Sequence, residues 1–185
     1  MEEITKQTSE LIEKVRKGNQ AAFGQLVDLH QYHLAATVRG MLGNCPEVED
    51  VGQDTFVRAY KNIHQFKGEA SFKTWLTRIG INLSLNELKK RKKQRERFQL
   101  TDNTAKYEKQ FANNDSMETK ELVQQGINQL DPKFRSVLVL RLIQGYSTKE
   151  TAEIMEIPQG TVLSRLNAAQ KKLKEILLQL HPELG

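Results

Sequence analysis

The sequence predicts an all-α protein built from two small helical domains joined by a flexible linker. Three observations carry that expectation. Apolar residues recur at three- and four-residue spacing through most of the chain. Only 4 Pro and 11 Gly interrupt 185 residues. One polar, turn-prone tract without a sustained period separates two patterned halves. The expected division is an N-terminal helical extension at 1–19, a domain at 20–93, a linker at 94–116 and a second domain at 117–182.

In the first domain, Phe23, Leu26, Val27 and His30 recur at helical intervals, and Leu34, Ala35, Val38, Met41 and Leu42 continue the stripe. Gly43-Asn44-Cys45-Pro46 breaks it. Asn44 is placed to cap a new helix, with Pro46 in the first turn and Glu47 near the positive end of the dipole. Val48, Val51, Thr55, Ala59, Tyr60 and Ile63 then make an amphipathic helix. After a turn at 66–69, Phe72, Trp75, Leu76, Ile79 and Leu83 step into a helix that runs through Leu88 into a basic tract. A flexible chain of ~20 residues spans roughly 25 Å, so the linker lets the halves engage well-separated sites. In the second domain, Leu122, Ile127 and Leu130 restart the period, and Asp131-Pro132 is an N-cap followed by proline at the first helical position. Gly145 ends that helix. Ser147-Thr148-Lys149-Glu150 is a capping box, with Ala152 and Met155 expected on the inner face of a short helix. Pro158 opens the last long helix, which carries Val162, Leu166, Leu173, Ile176, Leu177 and Leu180.

Composition narrows the function classes. Lys and Arg number 28 against 23 Asp and Glu, a net charge of +5, and aromatics make up only 6%. With a mean hydropathy of −0.60, no apolar run approaches the ~18 residues of a bilayer span. The first residues lack a basic-then-apolar leader. Cys45 is the only cysteine, which excludes an internal disulfide and fits a reducing compartment. The expectation is a cytoplasmic protein without membrane insertion.

Four tracts carry function. Residues 147–174 have helix-turn-helix spacing, with Ala152 where the helices approach and Ile157 plugging the turn. Gln159, Thr161, Ser164, Arg165 and Asn167 then fall on or beside the solvent face of the second helix, the half that enters a major groove. Arg165 can donate two hydrogen bonds to guanine, and Asn167 or Gln159 can pair with adenine. A plain helical hairpin is the alternative. In 89–97, seven of nine residues are basic, including Arg91 and Lys92, the footprint of a phosphate backbone or else a solvated helix end.

Glu47, Glu49, Asp50 and Asp54 interleave with Val48, Val51, Phe56 and Val57. A DNA-binding face would avoid four carboxylates, so this side is expected to meet a basic protein groove; dipole complementarity covers Glu47 and Asp50 but not Asp54. Residues 66–78 set Phe66, Phe72 and Trp75 beside Lys67, Lys73 and Arg78, as single-strand binders do. Helical spacing equally fits Phe72 and Trp75 as core. Enzymatic chemistry finds little support: His30 and His33 share a helix without a ligand partner at metal spacing, Cys45 has no evident catalytic partner, and no Gly-rich phosphate loop occurs. No metal or cofactor is expected.

These residues are also recognisable. The stretch 43–60 resembles region 2.2 of bacterial sigma-70-family sigma factors, and 66–83 (FKGEASFKTWLTRIGINL) resembles regions 2.3 and 2.4, particularly of the extracytoplasmic-function (ECF) subgroup. Residues 130–146 resemble region 4.1 and 147–173 region 4.2. The resemblance implies a non-catalytic initiation factor with a region 2 helical bundle and a region 4 helix-turn-helix. It would bind core RNA polymerase at the β′ clamp helices and the β flap, bind promoter DNA and help melt it, and in many relatives be held by an anti-sigma factor. Carried over residue by residue, Asp50, Gln53, Asp54, Phe56 and Arg58 would meet the β′ clamp helices. Lys67, Ser71, Phe72, Thr74, Trp75, Arg78 and Asn82, with Arg91 and Lys92 of the basic tract, would meet the minus-10 element. The loop after Ile63 would capture a flipped base, binding energy offsetting unstacking. Gln159, Thr161, Ser164, Arg165 and Asn167 would read the minus-35 element.

Three positions depart from the family's habit of basic residues: Leu163, Ala168 and Gln170. Each missing cation removes a phosphate contact and about one unit of salt dependence. Leu163 is instead suited to a thymine methyl. A free-standing helix-turn-helix regulator and a protein-only adaptor remain as alternatives, and the adaptor leaves the basic tract unexplained.

Overall fold

A computed structural model describes residues 2–101 and 119–182. Its elements are α1 (Glu2–Arg16), α2 (Gln20–Leu42), α3 (Glu47–Lys61), a 3-10 turn (Ile63–Gln65), α4 (Phe72–Thr101), α5 (Thr119–Gln129), α6 (Pro132–Leu138) continuing as a π turn (Val139–Ile143), α7 (Thr148–Met155) and α8 (Gln159–Leu180). Among the described residues there is no strand. The all-α expectation holds.

Local chemistry starts several helices where the sequence places them. Asp131 accepts from Lys133 N (3.0 Å) ahead of Pro132. Ser147 and Glu150 close a reciprocal capping box. The break before α3 works differently from expectation: Pro46 occupies the cap position and no side chain caps the helix. The acidic first turn of Glu47, Glu49 and Asp50 supplies the dipole complement instead.

Helices α1–α4 bury Leu26, Leu34, Val38, Met41, Ile63, Leu76 and Ile81 in one core. α1 adds Leu11, Ile12 and Val15, and the Arg16 guanidinium donates to the Phe66 carbonyl, tying the N-terminal helix to the turn before α4. Helices α5–α8 bury Ile127, Val137, Leu138, Leu140, Ile154 and Val162. On α7 the buried side chains are Thr151 and Ile154, whereas Ala152 and Met155 are only half-buried. The inner face is thus turned by one residue from the expected one.

α4 continues through Thr101, two turns beyond the expected start of the linker at 94. Residues 94–97 (QRER) are straight-chain helix formers without an apolar period, so hydrophobic spacing alone misses them. Residues 102–116 of the expected linker lie outside the described residues.

The two helical units also pack on each other. Gly40 of α2 faces Val139, where a β-carbon on Gly40 would come within 2.9 Å of the valine methyl. Arg135, 6% exposed, donates to the carbonyls of Met41 (2.7 Å), Leu130 (3.2 Å) and Asn128. It thereby satisfies end-of-helix acceptors from both units. Burial and the nearby Arg91 and Arg95 push its pKa down to about 10, so it remains cationic at neutral pH.

Candidate polymerase and nucleic-acid interfaces

Helical geometry turns the α3 prediction into a surface. At 100° per residue, Asp50, Gln53, Asp54 and Val57 share one stripe, with Phe56 and Arg58 on its two flanks. Asp50, Gln53, Asp54, Val57 and Arg58 are exposed, and Phe56 is half-buried, edge-on to Phe23 at 6.5 Å. Among the described residues no cation pairs with Asp50 or Asp54, whereas Glu47 is bound by Arg91 at 3.0 Å. The Glu47 carboxyl is held below its usual range first by its own backbone N–H and the Cys45 thiol, then by Arg91 and Lys90. Val57, named among the apolar residues of this helix start, is not among the contacts the resemblance carries over. Its place in the middle of the stripe follows from 50, 54 and 57 lying at steps of four and three. Beside the stripe, α2 and α3 form a groove lined by Gln31, Arg39, Pro46, Glu49, Gln53 and Phe56.

The 66–82 tract divides into a platform and a presenting edge. Phe72 (3% exposed) and Phe66 are buried, with ring centroids 5.7 Å apart, and Trp75 and His30 complete the aromatic cluster. Thr74 is also buried (2% exposed); its hydroxyl lies 2.9 Å from Ser71, whose side chain accepts from Thr74 N and caps α4. Phe72 and Thr74, expected at the minus-10 element, are thus both placed inside the packing. Lys67, Ser71 and Asn82 are exposed, and Trp75 and Arg78 half-exposed. Burial lowers the His30 pKa, with Lys73 adding to it, so this ring is neutral beneath the platform.

Arg91 is corrected too. It reaches Glu47 (3.0 Å), Glu87 (3.4 Å), the Cys45 sulfur (2.9 Å) and the Leu42 carbonyl (3.4 Å), which makes it a clasp between α2, α3 and α4. Lys90 and Lys92 are exposed but lie beside Glu87 and Glu96. The basic tract is balanced by Glu96 within it, Glu87 one turn earlier on α4 and Glu47 of α3.

On α8 the exposed stripe is Gln159, Gly160, Leu163, Ser164, Asn167 and Gln170. Thr161 and Arg165 are half-buried and turned away from it, about 140° and 180° from the stripe's centre, which is not the placement expected for a central guanine reader. Leu163, 50% exposed, stands in the middle. Behind α8, the π turn exposes Leu142 and Ile143 side by side.

One contact joins two of these surfaces: Arg78 of α4 pairs with Glu156 in the helix-turn-helix turn at 3.2 Å. Among the described residues no group of three or more His, Cys, Asp or Glu is arranged to hold a metal, and no helix is long and apolar enough to cross a membrane.

The structure thus sets a helical bundle with an exposed acidic stripe and an aromatic cluster beside a capped helix-turn-helix, the two-domain layout implied by the sigma-factor resemblance. Comparison with known proteins agrees. Residues 26–94 match the family model for Sigma-70 region 2 and residues 120–173 that for Sigma-70, region 4. The chain is 35% identical to the ECF RNA polymerase sigma factor SigW of Bacillus subtilis, across 91% of this chain and 96% of that one. It is 32% identical to the RNA polymerase sigma-H factor of Pseudomonas aeruginosa, across 94% and 95%. Among solved structures, CnrH in complex with the cytosolic domain of CnrY superposes with a TM-score of 0.65 at 29% identity, covering 92% of this chain and 97% of that one. The chain belongs to the ECF group of sigma-70-family RNA polymerase sigma factors. Sigma factors are non-enzymatic: they bind core RNA polymerase and direct it to promoters.

Proposed function

We propose that this sigma factor works in the cytoplasm with its labour divided by surface. The stripe of Asp50, Gln53, Asp54 and Val57, flanked by Phe56 and Arg58, docks on the β′ clamp helices. Lys67, Ser71, Trp75, Arg78 and Asn82, supported by buried Phe72 and Thr74, engage the minus-10 element, with Lys92 on nearby phosphates. Gln159, Leu163, Ser164 and Asn167 read the minus-35 element, and Thr161 and Arg165 lie off that face. The apolar pair Leu142 and Ile143 suits the β flap, since adjacent exposed large apolar residues mark a contact surface. On this reading, 20–93 is the core-polymerase and minus-10 domain and 117–182 the minus-35 domain. α1 is an extension braced on the first. A regulatory protein is a further partner, by likeness to CnrH, which is held by a domain of CnrY.

The observation that carries the reading is α3: two exposed carboxylates, without cationic partners among the described residues, share one helix face with an exposed valine a turn farther on. Opposite charge around a small apolar centre is what a basic groove recognises. Changing Gln53→Ala together with Asp54→Arg cancels the negative charge of that face without touching the core. The full-length double variant is expected to keep its helical content and lose retention on core RNA polymerase. Unchanged affinity would contradict the assignment.

A further inference from the structure

We propose that this chain reads its upstream promoter element without charge: where α8 crosses the major groove the element is built of A·T pairs, with a thymine methyl against Leu163 and an adenine against Asn167. The inference rests on the assignment of α8 to the minus-35 element above. At 100° per residue, Gln159, Gly160, Leu163, Asn167 and Gln170 fall within about 100° of arc, and all five are exposed. They cover about 16 Å of helix, the rise of roughly five base pairs. None of them is charged. Arg165 is the single cation between 159 and 170, and it stands half-buried about 180° from the stripe's centre. Lys172, also on the far side, is drawn with Lys133 onto the ring of Phe134, at 5.6 and 5.0 Å. Lys171 and Lys174 return to the exposed side, but about 12 and 16 Å farther along the helix than Leu163, where they suit phosphates beside the groove.

What the stripe offers instead decides the class of base. Guanine presents two acceptors, O6 and N7, and the side chains that match them are the N–H forks of Arg or the ammonium of Lys. This face has neither. A primary amide donates and accepts at once, which matches adenine N7 and its N6 amino group, and three amides stand here at Gln159, Asn167 and Gln170. Leu163, 50% exposed at the centre of the stripe, has only carbon to offer. Against it the thymine C5-methyl loses water at no cost, whereas the guanine acceptors or the cytosine amino group would be stripped of water and left unpaired. The neighbouring hydroxyl does not fill that gap, because Ser164 donates to the Thr161 carbonyl at 3.1 Å. Leu163 and Asn167 are about 6 Å apart along the axis, so the methyl and the adenine lie within about two base pairs of each other.

The test uses holoenzyme reconstituted from core RNA polymerase and the full-length chain, on a promoter that fires only with the chain present and whose upstream element is randomised. Sequencing the bound DNA should show adjacent A·T pairs enriched, and no guanine selected, where the stripe lies. Uracil in place of the selected thymine removes only the methyl group and should weaken wild-type binding about fourfold, as burial of one methyl predicts. Leu163→Ala should bind more weakly and lose its sensitivity to uracil. Leu163→Arg sets two donors at the stripe's centre and should convert one selected A·T pair to G·C. Selection of G·C by the wild type, or wild-type indifference to uracil, would overturn the uncharged readout and leave α8 on the minus-35 element. No upstream enrichment at all, with transcription still dependent on the chain, would overturn it through the α8 assignment instead.

Discussion

Phe72 illustrates how one side chain decides between two roles. Aromatic character beside cations fits base stacking, but its ring is enclosed by Phe66, Trp75 and His30. Its contribution is packing: Phe72→Ala should destabilise the first unit by ~3–5 kcal/mol in urea unfolding, the range for a large aromatic removed from a core. A cost below ~1 kcal/mol would return Phe72 to the surface. On α8, Asn167 lies within the exposed stripe and Arg165 nearly opposite its centre. Asn167→Ala is therefore expected to cost ~1–3 kcal/mol on a cognate promoter and relax preference at one base pair. Arg165→Ala should weaken binding equally on all duplexes and reduce the salt slope by about one. A base-specific loss from Arg165→Ala would show that it enters the groove after all.

At the scale of elements, helix starts were the most legible part of the chain. Asp131-Pro132 and Ser147 to Glu150 act through bonds within three residues, so their spacing contains the whole mechanism. The π turn and the continuation of α4 were not legible. The first depends on how Leu140 and Arg141 meet Tyr146, whose N–H reaches the Leu140 carbonyl while Arg141 donates to its own carbonyl. The second begins at 94–97, whose polar, exposed side chains carry no apolar stripe. Among the site residues, the exposed ones on α3 followed from arithmetic on one helix. The burial of Thr74 and the enlistment of Arg91 followed from other helices and could not be read from spacing.

The junction of α2, α4 and Tyr146 also has a pH signature. Burial lowers the His33 pKa to about 4, with Lys73 and then His30 contributing, and Tyr146, Thr77 and the more distant Glu150 complete the groups around it. Unfolded chains protonate this ring near its ordinary value of about 6.5 while the packed form resists, so the native state binds fewer protons in that window. Stability from His33 is fully present above about pH 6.5 and declines as pH falls toward 4. The half-buried ring retains some hydration, so the loss should be ~1–2 kcal/mol. Urea midpoints between pH 7 and 4.5 should fall more steeply for the wild type than for His33→Asn. Parallel slopes would remove His33 from that role.

For the whole molecule, the sequence showed two patterned halves and the break between them, and it left their packing hidden. Gly40 and Val139, or His33 and Tyr146, lie about a hundred positions apart, and neither residue type announces a partner. Charge did announce itself: Asp50 and Asp54 stand exposed on α3 and cations run along α4, although Arg91 pairs with Glu47 and Lys90 lines one groove with Asp50 and Asp54; in the proposed function the acidic side meets protein and the basic side DNA. Mapping transcript 5′ ends is the most direct trial of that arrangement, with core RNA polymerase incubated on fragmented genomic DNA with and without the full-length chain. Start sites absent from core enzyme alone, sharing upstream elements and vanishing with Gln53→Ala/Asp54→Arg, are the predicted result; an unchanged set of starts would contradict the account.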